Sequence, residues 1–148
     1  MIPLIKIQPE DFDIAAEMAS LAKRSGDVGA VATFTGHVRA DNGLNALVLE
    51  HYPAMTEREV ARHVGEAEKR WPLLGVTIIH RVGRLTPGER IVFVAAAASH
   101  RRAAFEACEF LMDYLKVHDP FWKQEERGGA ATWVEARAID DEAADRWR

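Results

Sequence analysis

The sequence contains a single cysteine, Cys108, so no internal disulfide can form, and the chain suits a reducing compartment. It also lacks any run approaching the roughly 18 uninterrupted apolar residues of a membrane span. Residues Met1 to Lys6 do not follow a basic segment with an apolar one, so no secretory signal is expected. A cytoplasmic protein, away from membranes, is the expectation. Six histidines are present without an HExxH pair, and one cysteine supplies no metal-binding frame, so no metal is expected. With no P-loop and no GxGxxG, no nucleotide cofactor is expected either. The net charge of −4 excludes nucleic-acid binding by bulk electrostatics, so any anionic ligand needs a local basic cluster. Internal repeats, low-complexity tracts and Pro/Gly/Ser-rich linkers are missing too. The 148 residues therefore read as one domain, 1–148, long enough to bury a core, with 138–148 expected to fray.

What is present alternates between strand and helix signals. Leu4 to Gln8 reads as a short strand, and Glu10 to Arg24 as a helix with Phe12, Ala15, Ala16, Ala19 and Ala22 at near-helical spacing. Ser25-Gly26-Asp27 stops it. Gly29 to Arg39 is rich in small and β-branched residues, and its glycines permit close backbone approach or a bulge. After the turn Asp41-Asn42-Gly43, Leu47 to Tyr52 resumes as strand, and the two segments suggest an antiparallel pair. A helix is predicted from Pro53 to Trp71, closed by Pro72. Val76 to Val82 and Ile91 to Ala97 read as strands separated by the turn Thr86-Pro87-Gly88-Glu89. Ser99 is placed to cap a helix from His100 to Val117, with Phe105, Cys108, Met112 and Leu115 as its apolar stripe. Phe121 to Arg137 reads as a hairpin turning at Gly128-Gly129. The fold class is α+β, with three main helices and mostly antiparallel pairing.

Three places carry residues suited to chemistry. Ser99-His100-Arg101-Arg102 stands at a strand-to-helix junction, where free N–H groups and the positive end of the helix dipole attract anions. Arginines there oppose the dipole, so without a ligand they cost stability. An arginine fork grips phosphate well, although the same residues also suit a solvated corner. Lys116 and Lys123 flank Pro120-Phe121-Trp122. Between apolar walls a lysine loses proton affinity and serves as nucleophile, base or anion holder. The plainer reading has Lys116 complementing the helix C-terminus and Lys123 in solvent. Arg39 ends a strand beside Gly36, which has no side chain to block a ligand. Cys108 falls on the apolar stripe and reads as core. Phe105, Phe110 and Phe121 read as packing.

Four ordered blocks resemble one known family. Gly29-Ala30 … Phe34-Thr35-Gly36-His37-Val38-Arg39 and His80-Arg81-Val82-Gly83-Arg84-Leu85 … Gly88-Glu89 are similar to the first half of the large subunit of molybdopterin synthase. Ser99-His100-Arg101, Phe105 to Phe110, Asp113-Tyr114-Leu115-Lys116 and Pro120-Phe121-Trp122-Lys123 resemble its second half, so the likeness runs from about Ile5 to Arg137. The resemblance implies an α/β hammerhead-type fold with a small accessory antiparallel β-subdomain. It also implies a homodimer within a heterotetramer, each protomer binding a small ubiquitin-like sulfur carrier (MoaD type) with a C-terminal Gly-Gly thiocarboxylate. The carrier's sulfur would pass to cyclic pyranopterin monophosphate (precursor Z), and two deliveries would form the dithiolene of molybdopterin. This chain ends Asp145-Arg146-Trp147-Arg148, which on this reading makes it the receiving partner.

The resemblance further implies Lys116 and Lys123 as the catalytic lysines and Arg39, His100 and Arg101 as the pterin-phosphate residues. It implies Phe34, Met112 and Arg137 in the substrate pocket and Glu125 as a carrier contact. Gln124 stands where many relatives carry a further lysine. A helix from His100 to Lys116 sets its ends about 24 Å apart, too far for one pterin to touch both. Either the pocket is a long groove or its two ends come from different protomers, and the favoured expectation is a composite site in which the lysines of one protomer meet His100 and Arg101 of another. Two other readings remain at this stage. One is a non-catalytic adaptor for a ubiquitin-like protein and the other a lysine-based Schiff-base lyase, neither of which requires a phosphate grip.

Overall fold

The computed structural model describes residues 1–117, 121–134 and 138–148. A strand β1 (Leu4–Gln8) precedes helix α1 (Ile14–Ser25), strand β2 (Ala30–His37), strand β3 (Ala46–His51) and helix α2 (Pro53–Arg70). Strands β4 (Leu73–Arg81), β5 (Gly83–Leu85) and β6 (Arg90–Ala98) lead into helix α3 (Arg101–Val117). The hairpin β7 (Phe121–Arg127) and β8 (Ala130–Val134) follows, then helix α4 (Ala138–Asp145). Two four-stranded sheets result, ordered β1-β4-β6-β2 and β5-β3-β7-β8, and only the β1–β4 pair is parallel among the described strands. This is the α+β class with an accessory antiparallel sheet.

The first sheet is buried on both faces, which explains its nearly unbroken apolar strands. Along β6 the side chains alternate. Val92, Val94, Ala96 and Ala98 join Val60, Val64 and Ala67 of α2 and the inner face of α3 in the main core. Phe93, Ala95 and Ala97 point the other way, toward Phe12 and Leu21. Small alanines on β6 let helices approach both faces closely. A third, smaller cluster of Val38, Leu49 and Leu85 joins the second sheet to the first.

Several expectations are corrected. Helix α1 starts at Ile14 rather than Glu10, because the Asp13 carboxylate accepts from Ala16 N at 3.1 Å and caps the first turn. Its alanines face solvent, and the buried positions are Leu21 and Ser25. These two pack on Gly75, where an added Cβ would meet Ser25 Oγ at 2.0 Å and Leu21 Cδ1 at 2.9 Å. Strands β2 and β3 do not pair with each other. β2 lies against β6, while β3 lies between β5 and β7. A register shift at Gly36/His37 ends the β2–β6 ladder, and the turn over Asp41–Gly43 carries the chain into the second sheet.

Helix α3 begins at Arg101, with the His100 carbonyl accepting from Ala104 N, so His100 and not Ser99 precedes the first turn. Phe105 is 65% exposed and leaves the apolar stripe to Ala104, Ala107, Cys108, Phe110, Leu111, Met112 and Leu115. The segment expected to fray forms the fourth helix, α4. Ala144 is buried, Trp147 packs edge-on against Trp71 and Phe110, and its indole N–H donates to Asp113 Oδ2 at 2.6 Å. Arg146 adds ion pairs to Asp113 and Glu109. No helix among the described residues is long and apolar enough to cross a membrane.

Candidate functional site

Helix α3 has a cavity at each end, and the sequence-predicted residues divide between them. At its C-terminal end a cavity of about 360 Å³ is lined by Phe34, Arg39, Met112, Lys116 and Lys123 together with His80. That volume lies within the roughly 300–1,000 Å³ typical of small-molecule sites. Strand β2 contributes Phe34 through Gly36, the loop after it contributes Arg39, α3 contributes Met112, Leu115 and Lys116, and β7 contributes Phe121 and Lys123.

Local packing explains this convergence. Gly36 lies in the cavity wall, where an added Cβ would meet Val92 Cγ1 at 2.9 Å and the Phe34 ring at 3.3 Å. Its missing side chain therefore makes room for Phe34. On β7 the side chains alternate, so Lys123 and Glu125 share a face, about 7 Å apart along the strand, while Gln124 points the opposite way. A lysine at 124 would not extend the Lys123 face. Glu125 stands outside the cavity lining, half-buried and ion-paired with Arg127.

Three basic side chains, Arg39, Lys116 and Lys123, line the cavity, and no carboxylate stands among its described lining residues. Arg39 is balanced only partly, by Asp41 at 3.4 Å, with 68% of its side chain exposed. Lys116, in the last turn of α3, also meets the negative end of the helix dipole, so its charge is tolerated without a ligand. The arrangement is built to receive an anion next to apolar and aromatic surface.

His80 is the residue that sequence reasoning quoted within a motif but assigned no role. It ends the inward face of β4, stacks on Phe121 with centroids 3.9 Å apart and planes 15° off parallel, and lines the cavity. Burial pushes its imidazole down to about 4 from 6.5, and the positive charges of Lys123 and Lys116 act in the same direction. Its Nδ1 lies 2.8 Å from Arg81 O, and a carbonyl only accepts, so Nδ1 carries the proton of the neutral ring. The signal that would have found His80 is its position: a titratable residue near the end of a mostly apolar, mostly buried strand. Its neighbour Arg81 is structural, donating to Pro9 O at 3.1 Å and Arg90 O at 3.0 Å.

The second cavity, about 790 Å³ and open, sits at the N-terminal end of α3 and is lined by Ser99, His100, Arg101, Arg102 and Phe105. Its shape depends on Gly29, where an added Cβ would lie 1.9 Å from the Ser99 carbonyl oxygen. That contact presses the start of β2 against the corner that opens α3. No acidic residue occupies the first turn of α3, and Arg102 is offset only by Glu106 at 4.0 Å. Arg101 and Lys116 are separated along one continuous helix by about 22 Å. The structure thus gathers Phe34, Arg39, Met112, Lys116 and Lys123, and holds His100 and Arg101 apart from them. Arg137 lies outside the described residues.

Comparison with known proteins converges on one family. The family model described as MoaE protein matches residues 7–118. A molybdopterin synthase catalytic subunit from Mesorhizobium japonicum is 54% identical over 151 residues, covering 100% of this chain and 95% of its own length. The structure of a molybdopterin biosynthesis MoaE protein from Burkholderia ambifaria superposes with a TM-score of 0.87 at 50% identity, covering 99% of this chain and 98% of that one. A complex of subunits 1 and 2 of molybdopterin-converting factor from Helicobacter pylori shares the fold, with a TM-score of 0.77 at 18% identity over 90% of this chain and 91% of the other. With the fold, the ordered motifs and the full-length identity in agreement, the chain belongs to the MoaE family.

Proposed function

We propose that this chain is the catalytic subunit of a molybdopterin synthase, working on precursor Z with a small thiocarboxylated carrier in the cytoplasm. Membership of the MoaE family and the name carried by its full-length relatives support the activity. The observation that carries the site assignment is the cavity in which Arg39, Lys116 and Lys123 meet beside Phe34 and Met112, with no carboxylate among its described lining residues. A thiocarboxylate tail and a cyclic phosphate are both anions, and such a pocket admits both. Glu125 shares the Lys123 face of β7, which supports assigning it to contact with the incoming carrier tail.

In each delivery the thiocarboxylate sulfur forms a bond to a side-chain carbon of the pterin as that carbon gives up its oxygen, to the phosphate in the delivery that opens the cyclic ester and as water in the other. The carrier's acyl carbon–sulfur bond then breaks as water returns its tail to a carboxylate. Lys116 holds the thiocarboxylate and stabilises the oxyanion formed at the acyl carbon. Lys123 retains the half-sulfurated intermediate, and Arg39 grips phosphate as the ring opens. Mixing the purified chain with thiocarboxylated carrier and precursor Z yields molybdopterin if this reading holds. An adaptor would bind the carrier and yield none.

His100 and Arg101 join this scheme through a second protomer. Their distance along α3 keeps them from the lysines of their own chain, and their arginine-rich first turn needs an anion. Mixing Arg101→Ala and Lys116→Ala protomers makes about half of the dimers mixed, each with one intact site, so the mixture is expected to recover about half of one site's activity per dimer. Mixtures as inactive as their parents would argue for sites complete within one chain.

A further inference from the structure

The three cations that define the α3 C-terminal cavity are donors only, and a pterin also presents donors: its exocyclic amine and its ring N–H groups. A cationic pocket alone fixes the phosphate and leaves the ring free to turn. The cavity therefore needs a directed acceptor. Among the described lining residues the side chains with an accepting nitrogen or oxygen are Thr35, His37 and His80. His37 is exposed and Thr35 half-buried, while His80 is 7% exposed. The direction of His80 is set twice, by the Nδ1–H bond to Arg81 O and by the face-to-face stack on Phe121. With Nδ1 committed as donor, Nε2 is the nitrogen whose lone pair remains to accept.

Building on the proposed synthase activity, we infer that His80 is a specificity-determining residue of this cavity. Its Nε2 accepts from an N–H donor of the bound pterin, and the Phe121 stack holds the imidazole at the required angle. Burial, with the charge of Lys123 and Lys116 added to it, keeps a second proton off the ring, so the acceptor persists in a strongly positive site. The pterin's phosphate and its ring edge are then read by different chemistry, cation and acceptor, on different walls of one pocket.

Two measurements test this on the complete chain with its thiocarboxylated carrier. In protein labelled with ¹⁵N-histidine, the His80 ring is assigned by comparison with His80→Phe. It should show a protonated Nδ1 and a bare Nε2, and the Nε2 resonance should move when precursor Z is added. In steady-state assays, His80→Phe keeps an aromatic ring and removes the acceptor. It is expected to raise KM for precursor Z about tenfold with kcat largely retained and carrier binding unchanged. His80→Gln, which restores an acceptor, should recover part of the loss. An Nε2 signal indifferent to precursor Z overturns the inference, as does an unchanged KM in a folded His80→Phe protein. If His80→Phe does not fold, the labelled wild-type chain still decides. Failure of the underlying activity looks different, because the wild type would then make no molybdopterin.

Discussion

The two ends of α3 carry similar residues under opposite electrostatic conditions. At the C-terminal end Lys116 meets the negative pole of the helix and joins Arg39 and Lys123 around the less open of the two cavities. At the N-terminal end Arg101 and Arg102 sit on the positive pole around an open one, with Glu106 as the nearest offset. In the first cluster the charge of Lys116 is tolerated as it stands. The second is held at a cost that an anion relieves. A cation's place on a helix thus separates a charge the helix supports from one it opposes, even when residue type does not.

The sharpest way to break this contrast is to remove Lys116. Lys116→Ala is expected to lower molybdopterin formation about 10²–10³-fold while leaving the carrier bound, read by single-turnover assay beside a binding titration. Retained activity would move the chemistry away from this end.

A smaller effect concerns His80, in the same cavity. Its folded-state value, about 4, lies below the ordinary 6.5, so between the two the unfolded chain binds a proton that the folded chain does not. Stability therefore rises with pH across that window, and the acid side costs about 3 kcal/mol in full. Urea midpoints at neutral and mildly acid pH should show this loss in the wild type and a flatter profile in His80→Phe.

The smallest effect belongs to the other end. Without ligand, Arg101→Ala should stabilise the fold by about 0.5 kcal/mol at low salt, and the gain should shrink as salt is added. A destabilised variant would mean that Arg101 already has a partner.

Much of the fold was legible because local signals agreed with the final packing. Pro53 and Pro72 bracket α2, the glycine pair turns the β7–β8 hairpin, and the apolar runs of β4 and β6 become strands buried on both faces. Long-range choices were not legible. Nothing local told β2 to pair with β6 instead of β3. Alanine misled twice. On α1 it mimicked a core stripe that belongs to Leu21 and Ser25, and on α3 it was passed over in favour of Phe105. In α4 a mainly polar segment is anchored by Ala144 and Trp147, too few residues to show a period. For the site, residue types alone left Lys116 and Lys123 open between chemistry and solvent. The resemblance named them, and the structure puts them on one cavity. His80 escaped because a buried histidine reads as packing until its neighbours are known.

Gly29 bears on how the cationic corner is aimed. Because its Cα faces the Ser99 carbonyl with no room for a methyl group, any larger residue there must shove the β6–α3 corner outward. Such a change would swing His100 and Arg101 as a unit without altering a single charge. The angle at which this protein holds its arginines at that corner is thus governed by an atom it does not have.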